Sequence, residues 1–119
     1  MAEKRAMPAF DKSPAELVER FTAVLAARPQ ATVRKMFGYP AAFVNGNLTS
    51  GLFSESWFVR LSEADTAELR AAGGGPFEPM AGRPMRGYTL LPASIADDPV
   101  AAGAWVDRAI DHVATLPPK

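Results

Sequence analysis

The chain has 119 residues, a formal net charge of zero and no cysteine. This length suits one compact domain with a core of its own, and the absence of cysteine excludes disulfides and thiolate-bound metal sites. The balanced charge argues against direct binding of nucleic acid, which usually needs a basic excess. No apolar run approaches the roughly 20 residues of a membrane span, and the charged N-terminus is unlike a signal peptide. The sequence therefore predicts a soluble, cytoplasmic domain that does not bind a membrane.

The beginning of the chain predicts a lead-in followed by a helix. Residues 1–12 mix charges without a sustained hydrophobic period and are expected to be flexible. The single domain is then expected to span residues 13–119. Ser13 and Pro14 are typical of an N-cap and a first helical residue, and Pro29 predicts the end of the helix. The apolar residues between them recur at helical spacing, at Leu17, Phe21, Val24 and Leu25.

Three antiparallel strands are predicted to follow this helix. The first covers residues 33–44, which are rich in β-branched and aromatic side chains and are broken at Gly38 and Pro40, with a bend or bulge expected at Pro40. Asn45-Gly46 is the favoured pair for a two-residue type I′ hairpin turn and predicts a returning strand over residues 48–53. A third strand is predicted over residues 57–61, where the side chains alternate.

The second half of the chain predicts a helix, two strands and a last helix. Ser62 is typical of a helix start, and the glycines at 73–75 before Pro76 are typical of a helix end. Short strands are expected over residues 77–80 and 85–91. The inner face of the last helix, capped by Asp98, is expected to contain Ala102, Val106, Ala109, Val113 and Leu116. The order α-β-β-β-α-β-β-α predicts a two-layer α+β domain with a mainly antiparallel, five-stranded sheet.

The residues that could carry chemistry do not form a catalytic motif. His112 is the single histidine and is expected on the surface near a helix end. Asp98 is expected to cap a helix, while Asp107 and Asp111 are expected on the solvated face of that helix. The glycines at 73–75 follow a helix, whereas phosphate-binding glycine loops precede one. The sequence therefore predicts no catalytic residue, no metal, no cofactor and no enzymatic activity.

Two basic segments are the strongest candidates for a binding site. Residues 34–38 read Arg-Lys-Met-Phe-Gly, and residues 83–88 read Arg-Pro-Met-Arg-Gly-Tyr. If the two segments meet in the fold, their cations form a basic patch for an anion or an acidic partner; these cations are Arg34, Lys35, Arg83 and Arg86. The other candidate contacts in the two segments are Met36, Phe37, Gly38 and Tyr88. The alternative interpretation is that the arginines lie over the sheet and pair with nearby glutamates.

These segments resemble the N-terminal domain of the TfoX/Sxy family. The resemblance extends over residues 14–116 and is carried by Arg34-Lys35-Met36-Phe37-Gly38, Asn45-Gly46, Pro76-Phe77, Gly82-Arg83-Pro84-Met85 and Tyr88. It implies an antiparallel α+β domain and a link to the competence regulator TfoX, a bacterial protein that promotes expression of DNA-uptake genes. The family has no established catalytic residues, so the resemblance implies none in this chain.

The sequence departs from the family pattern in two ways. Tyr39-Pro40-Ala41 stands where the signature often continues with glycines, and the chain ends at Lys119 without the C-terminal helical domain of longer relatives. We therefore expect a stand-alone, non-enzymatic regulatory domain that binds a protein partner or a second copy of itself. The alternative hypothesis is a domain that binds a small ligand or anion through the basic patch. Direct DNA binding is a third hypothesis, which the neutral charge disfavours.

Overall fold

A computed structural model describes residues 13–80 and 82–119, and the lead-in expected over residues 1–12 lies outside the described part. The described residues form four helices, which are α1 (Ala15–Ala26), α2 (Glu63–Ala71), α3 (Ala93–Ala96) and α4 (Pro99–Ala114). They also form six strands, which are β1 (Thr32–Met36), β2 (Tyr39–Val44), β3 (Asn47–Phe53), β4 (Ser56–Arg60), β5 (Gly75–Pro76) and β6 (Tyr88–Leu90). The strands make one sheet in the order β1-β2-β3-β4-β6-β5, and all neighbours are antiparallel.

The predicted α+β class and antiparallel sheet are confirmed, but the described sheet has six strands where the sequence predicted five. The additional strand arises because residues 33–44 are not one strand interrupted at Gly38 and Pro40. They form β1 and β2, joined by a turn in which Phe37 and Gly38 have φ values of 57° and 83°. Positive φ at both central residues is the type I′ geometry of a two-residue hairpin. The irregularity in β2 falls between Ala42 and Phe43, where its register against β3 shifts.

The prediction of a strand over residues 77–80 is wrong. Strand β5 ends at Pro76, and the ring of the next residue, Phe77, stacks on Phe58 with centroids 4.3 Å apart. Residues 77–80 and 82–87 belong to a covering loop, in which the N–H of Met85 donates to the carbonyl of Phe77 at 2.8 Å. The final strand is also shorter than predicted, because β6 begins only at Tyr88.

The predicted helix caps are confirmed for α2 and α4 but not for α1. The side chains of Ser62 and Asp98 each accept a hydrogen bond from a backbone N–H in the first turn of their helix. At α1, Pro14 occupies the cap position without a side-chain bond. Ser13 Oγ, predicted to cap α1, instead donates to the carbonyl of Ser54 at 2.6 Å. Ser13 therefore ties the start of α1 to the turn between β3 and β4.

The two faces of the sheet are covered by different parts of the chain. On the first face, α1 and α4 bury the central strands, and fully buried Trp57 meets Phe21 of α1 edge to face at 5.2 Å. On the second face, the covering loop packs over an aromatic cluster that consists of Tyr39, Phe53, Phe58, Phe77 and Tyr88. The adjacent β4 residues Trp57 and Phe58 therefore lie on opposite faces of the sheet, because successive side chains of a strand alternate. None of the described helices has the length and apolarity to span a membrane.

Candidate functional site

Strand β1 is an open edge of the sheet. Residues 32–35 are exposed and Met36 is half-buried. Val33 exposes 44% of its surface, and Phe37, in the turn that follows, exposes 64%. The opposite edge, β5, has only two residues, and one of them is a proline that cannot donate to a further strand. Of the two edges of the described sheet, β1 is therefore the better template for an added strand.

The register of β1 determines which of its backbone groups face outward. The two-residue turn makes Met36 and Tyr39 the pair that closes the hairpin, and hydrogen-bonded and non-hydrogen-bonded pairs then alternate along an antiparallel ladder. Lys35 and Pro40 therefore form a non-hydrogen-bonded pair, which fits the missing N–H of proline. The same alternation directs the N–H and C=O groups of Val33 and Lys35 away from β2 and toward the open edge.

Two of the candidate cations, Arg34 and Lys35, lie on opposite faces of this edge, because successive side chains of a strand alternate. The guanidinium carbon of Arg34 lies 4.2 Å from the centroid of the Phe43 ring, a cation–π contact. Both cations remain exposed. The open edge thus presents one positive charge on each face.

The cations of the predicted basic patch come from two parts of the fold, β1 and the segment that leads into β6. Three strands lie between β1 and β6 in the sheet. The two strands are therefore four spacings apart, or about 19 Å. Arg86, just before β6, lines a groove beside α2. Arg83 is exposed in the covering loop, where its backbone forms an isolated antiparallel β-bridge with Met80. The sheet therefore does not bring Arg34 and Lys35 next to Arg86. A shared binding role for the four cations stays a prediction.

Phe37, a predicted contact residue, has a strained backbone. Its φ of 57° lies in the left-handed region, where a bulky side chain costs roughly 1–2 kcal/mol and asparagine or glycine costs less. Because the ring is 64% exposed, its own burial offsets little of this cost. Strained residues of this kind cluster at active sites and ligand contacts. Phe37 is therefore the side chain on the open edge that most suggests a binding role.

We expect Phe37→Asn to raise the free energy of unfolding by about 1 kcal/mol, because asparagine adopts the left-handed conformation more easily. Urea denaturation measures the change, and the melting temperature is expected to rise by about 4 °C. Gly38→Ala is the matched control in the same turn: its φ is 83° and an added Cβ meets nothing within 4 Å, so only strain is introduced. The control is expected to be destabilised by about 1 kcal/mol. A loss of stability in Phe37→Asn would show that the ring stabilises the fold.

Tyr88, the other aromatic candidate, is part of the aromatic cluster. Its ring meets Phe58 and Phe77 edge to face at 5.7 and 6.4 Å, and its hydroxyl donates to the carbonyl of Leu48 at 3.2 Å. Burial raises the pKa of the Tyr88 hydroxyl above its ordinary value, and nearby Arg60 offsets part of that rise. The hydroxyl therefore stays protonated at neutral pH and donates within the fold.

Two of the acidic residues that could carry chemistry make structural contacts. Asp98 caps α4, and Asp107 accepts hydrogen bonds from two nitrogens of Arg28 at 2.7 and 3.1 Å. Asp111 is exposed on α4, as predicted, whereas His112 is half-buried in the last turn of that helix. Within residues 13–80 and 82–119, no group of three or more histidines, aspartates or glutamates is placed to hold a metal ion.

Sequence reasoning missed a groove of about 500 Å³ between α2 and the segment that leads into β6. Of the predicted candidates, Arg86 and Tyr88 line it, together with Arg70 and Thr89, which no motif singled out. These residues come from α2 and from the approach to β6, so only the packing of the helix beside the strand brings them together. No sequence motif indicates the groove, because its lining residues are single side chains from segments that are far apart in the sequence.

The structure defines a small α+β domain with an open edge strand and a groove at the other end of its sheet. The model of the TfoX N-terminal domain family matches residues 23–113, which include the open edge and the groove. The chain therefore belongs to the TfoX N-terminal domain family, and the resemblance noted in the sequence is confirmed. No curated protein matches the chain in sequence.

Proposed function

We propose that this TfoX N-terminal domain is a non-enzymatic regulatory module that binds a protein partner by adding a strand to β1. The observation that carries the proposal is the exposure of β1, where Val33 and Lys35 direct N–H and C=O groups outward. An extended peptide would pair with these groups and place alternate side chains against exposed Val33 and Phe37.

The charges on β1 favour an acidic partner segment. Arg34 and Lys35 place a cation on each face of the strand, and oppositely charged cross-strand neighbours contribute roughly 0.2–1 kcal/mol each. Pairing of β1 with a second copy of itself brings like charges together, which is a common protection of edge strands against self-association. An acidic, extended segment of another protein is therefore a better occupant than a second copy.

The regulatory part of the proposal is supported by family membership and by the resemblance to the competence regulator TfoX. With a net charge of zero, the domain would influence transcription through a protein partner and not by direct contact with DNA. Deletion of the gene in the source organism, followed by measurement of transcripts of DNA-uptake genes, tests this role. Unchanged transcripts under conditions that induce those genes would overturn the role in competence and leave the binding proposal standing.

We expect Val33→Pro to weaken peptide binding at least tenfold, because proline removes an outward N–H that β2 does not use. A displayed library of ten-residue peptides, selected on the full chain, is expected to yield extended sequences rich in aspartate and glutamate. The dissociation constant of one selected peptide is then measured by isothermal titration calorimetry for the parent and the variant.

Val33→Ala is the matched control, since it shortens the same side chain but keeps the N–H, and its affinity is expected to stay within about threefold of the parent. Equal affinity of the proline and alanine variants, or selection of peptides without acidic residues, would overturn the proposed mode. Analytical ultracentrifugation tests whether a second copy of the chain occupies β1 instead. A parent protein that is a dimer and a Val33→Pro variant that is a monomer would identify the second copy as the occupant.

A further inference from the structure

The groove beside α2 lies four strands away from β1 in the sheet order and is independent of the proposed protein-binding edge. One wall is α2, with Thr66 and Arg70, and the other is the segment that carries Met85 and Arg86. Thr89 of β6 also lines it, held between Val59 of β4 and Pro76 of β5. A volume of about 500 Å³ is within the range of pockets that hold small organic molecules.

Thr89 has a buried hydroxyl without a hydrogen-bond partner. The residue is 1% exposed, and its Oγ1 makes no hydrogen bond with any described residue. Buried polar groups are nearly always paired, and leaving one unpaired lowers the stability of the fold. Thr89 is among the residues that line the groove, but its hydroxyl is closed to solvent, so an oxygen of a bound molecule accepts a hydrogen bond from it only where a neighbouring side chain moves aside.

The charges around the groove favour an anion. Arg70 and Arg86 lie on its two walls and are exposed, and Glu63 is the single carboxylate among the lining residues. A guanidinium presents paired N–H donors that match the two oxygens of a carboxylate. The lining also includes Leu61 and Met85, which suit an apolar body and not a bare inorganic ion.

We propose that this groove binds a small organic carboxylate whose apolar body carries a further oxygen. The carboxylate accepts hydrogen bonds from Arg70 or Arg86, and the apolar body lies against Leu61 and Met85. The additional oxygen accepts a hydrogen bond from the Thr89 hydroxyl. None of these side chains takes part in the proposed binding of a peptide to β1.

Titration of the ¹⁵N-labelled full chain with 4-hydroxybenzoate, followed by NMR, tests the site. We expect chemical-shift changes centred on Gly87, Tyr88 and Thr89 and saturation at millimolar ligand or below. Two matched probes separate the contacts: 4-hydroxybenzamide lacks the charge and is expected to bind at least tenfold more weakly, and benzoate lacks the hydroxyl and is expected to bind about fivefold more weakly. Absence of shift changes at 10 mM 4-hydroxybenzoate, or equal affinity for inorganic phosphate, would overturn the proposal.

Thr89→Val separates a ligand contact from a structural role. Valine has the same shape and favours strands, so the variant is expected to melt a few degrees higher than the parent while its affinity for 4-hydroxybenzoate falls about fivefold. Arg86→Gln is expected to weaken binding at least fivefold, whereas Arg83→Gln, outside the groove, is expected to bind as the parent does. A lower melting temperature of Thr89→Val would show that the hydroxyl supports the fold and would overturn its assignment to the ligand.

Discussion

Gly51→Ala is expected to lower the free energy of unfolding by about 3 kcal/mol, because the middle of the sheet has no room for a Cβ atom. A Cβ at this position would lie 2.7 Å from Cζ of Phe58 and 3.2 Å from Cβ of Ala41. The Phe58 ring cannot withdraw, since Phe77 is stacked on it at 4.3 Å with 11° between the ring planes. The whole aromatic cluster therefore has to shift to admit one methyl group.

Urea denaturation measures this effect, and Gly75→Ala is its matched control. An added Cβ at Gly75 meets nothing within 4 Å, so that variant is expected to stay within about 0.5 kcal/mol of the parent. Phe58→Leu in the Gly51→Ala background removes the closest ring atoms and is expected to recover part of the loss. Equal stability of the two alanine variants would show that the covering loop moves away from the sheet at little cost.

The two type I′ hairpins show how far sequence patterns predict this fold. The turn at Asn45-Gly46 has φ values of 52° and 83°, and the turn at Phe37-Gly38 has 57° and 83°. The backbone geometry is the same, but only the first pair has the composition that favours it. The second hairpin is imposed by the pairing of β1 with β2, which overrides the local preference of phenylalanine. The strand predicted over residues 33–44 is therefore divided into β1 and β2.

The candidate site was predictable in its residues but not in its arrangement. The sequence singles out Arg34 and Lys35 as cations next to a large apolar pair, and the structure places both on the open edge. The exposure of Phe37 is not apparent from the sequence, where an aromatic residue is expected in the core. Their distance from Arg86 depends on the strand order, which no local pattern records. The unpaired hydroxyl of Thr89 is equally invisible in the sequence, because a threonine in a strand reveals nothing about the partner of its side chain.

Ser50→Ala is expected to lower the free energy of unfolding by about 2 kcal/mol, since it leaves the buried indole N–H of Trp57 without its partner and removes a hydrogen bond to the carbonyl of Phe58. Ser50 Oγ donates to the carbonyl of Phe58 at 2.8 Å and accepts the indole N–H of Trp57 at 3.0 Å. Both aromatic residues are fully buried, so water cannot replace the missing hydroxyl. The change in volume is small, and the loss therefore measures hydrogen bonding and not packing.

A double-mutant cycle with Trp57→Phe tests this cause, because Ser50→Ala is expected to cost less when the indole N–H is absent. Thr89→Val provides a second comparison, in which the two variants are expected to change the free energy of unfolding in opposite directions. Ser50 and Thr89 both pair with Val59 from opposite sides and lie in one row across the sheet. Their hydroxyls share a buried setting, yet the first is paired and the second is not. Removal of the first hydroxyl should therefore destabilise the domain and removal of the second should stabilise it, and equal signs would contradict the distinction between a structural and a ligand-binding hydroxyl.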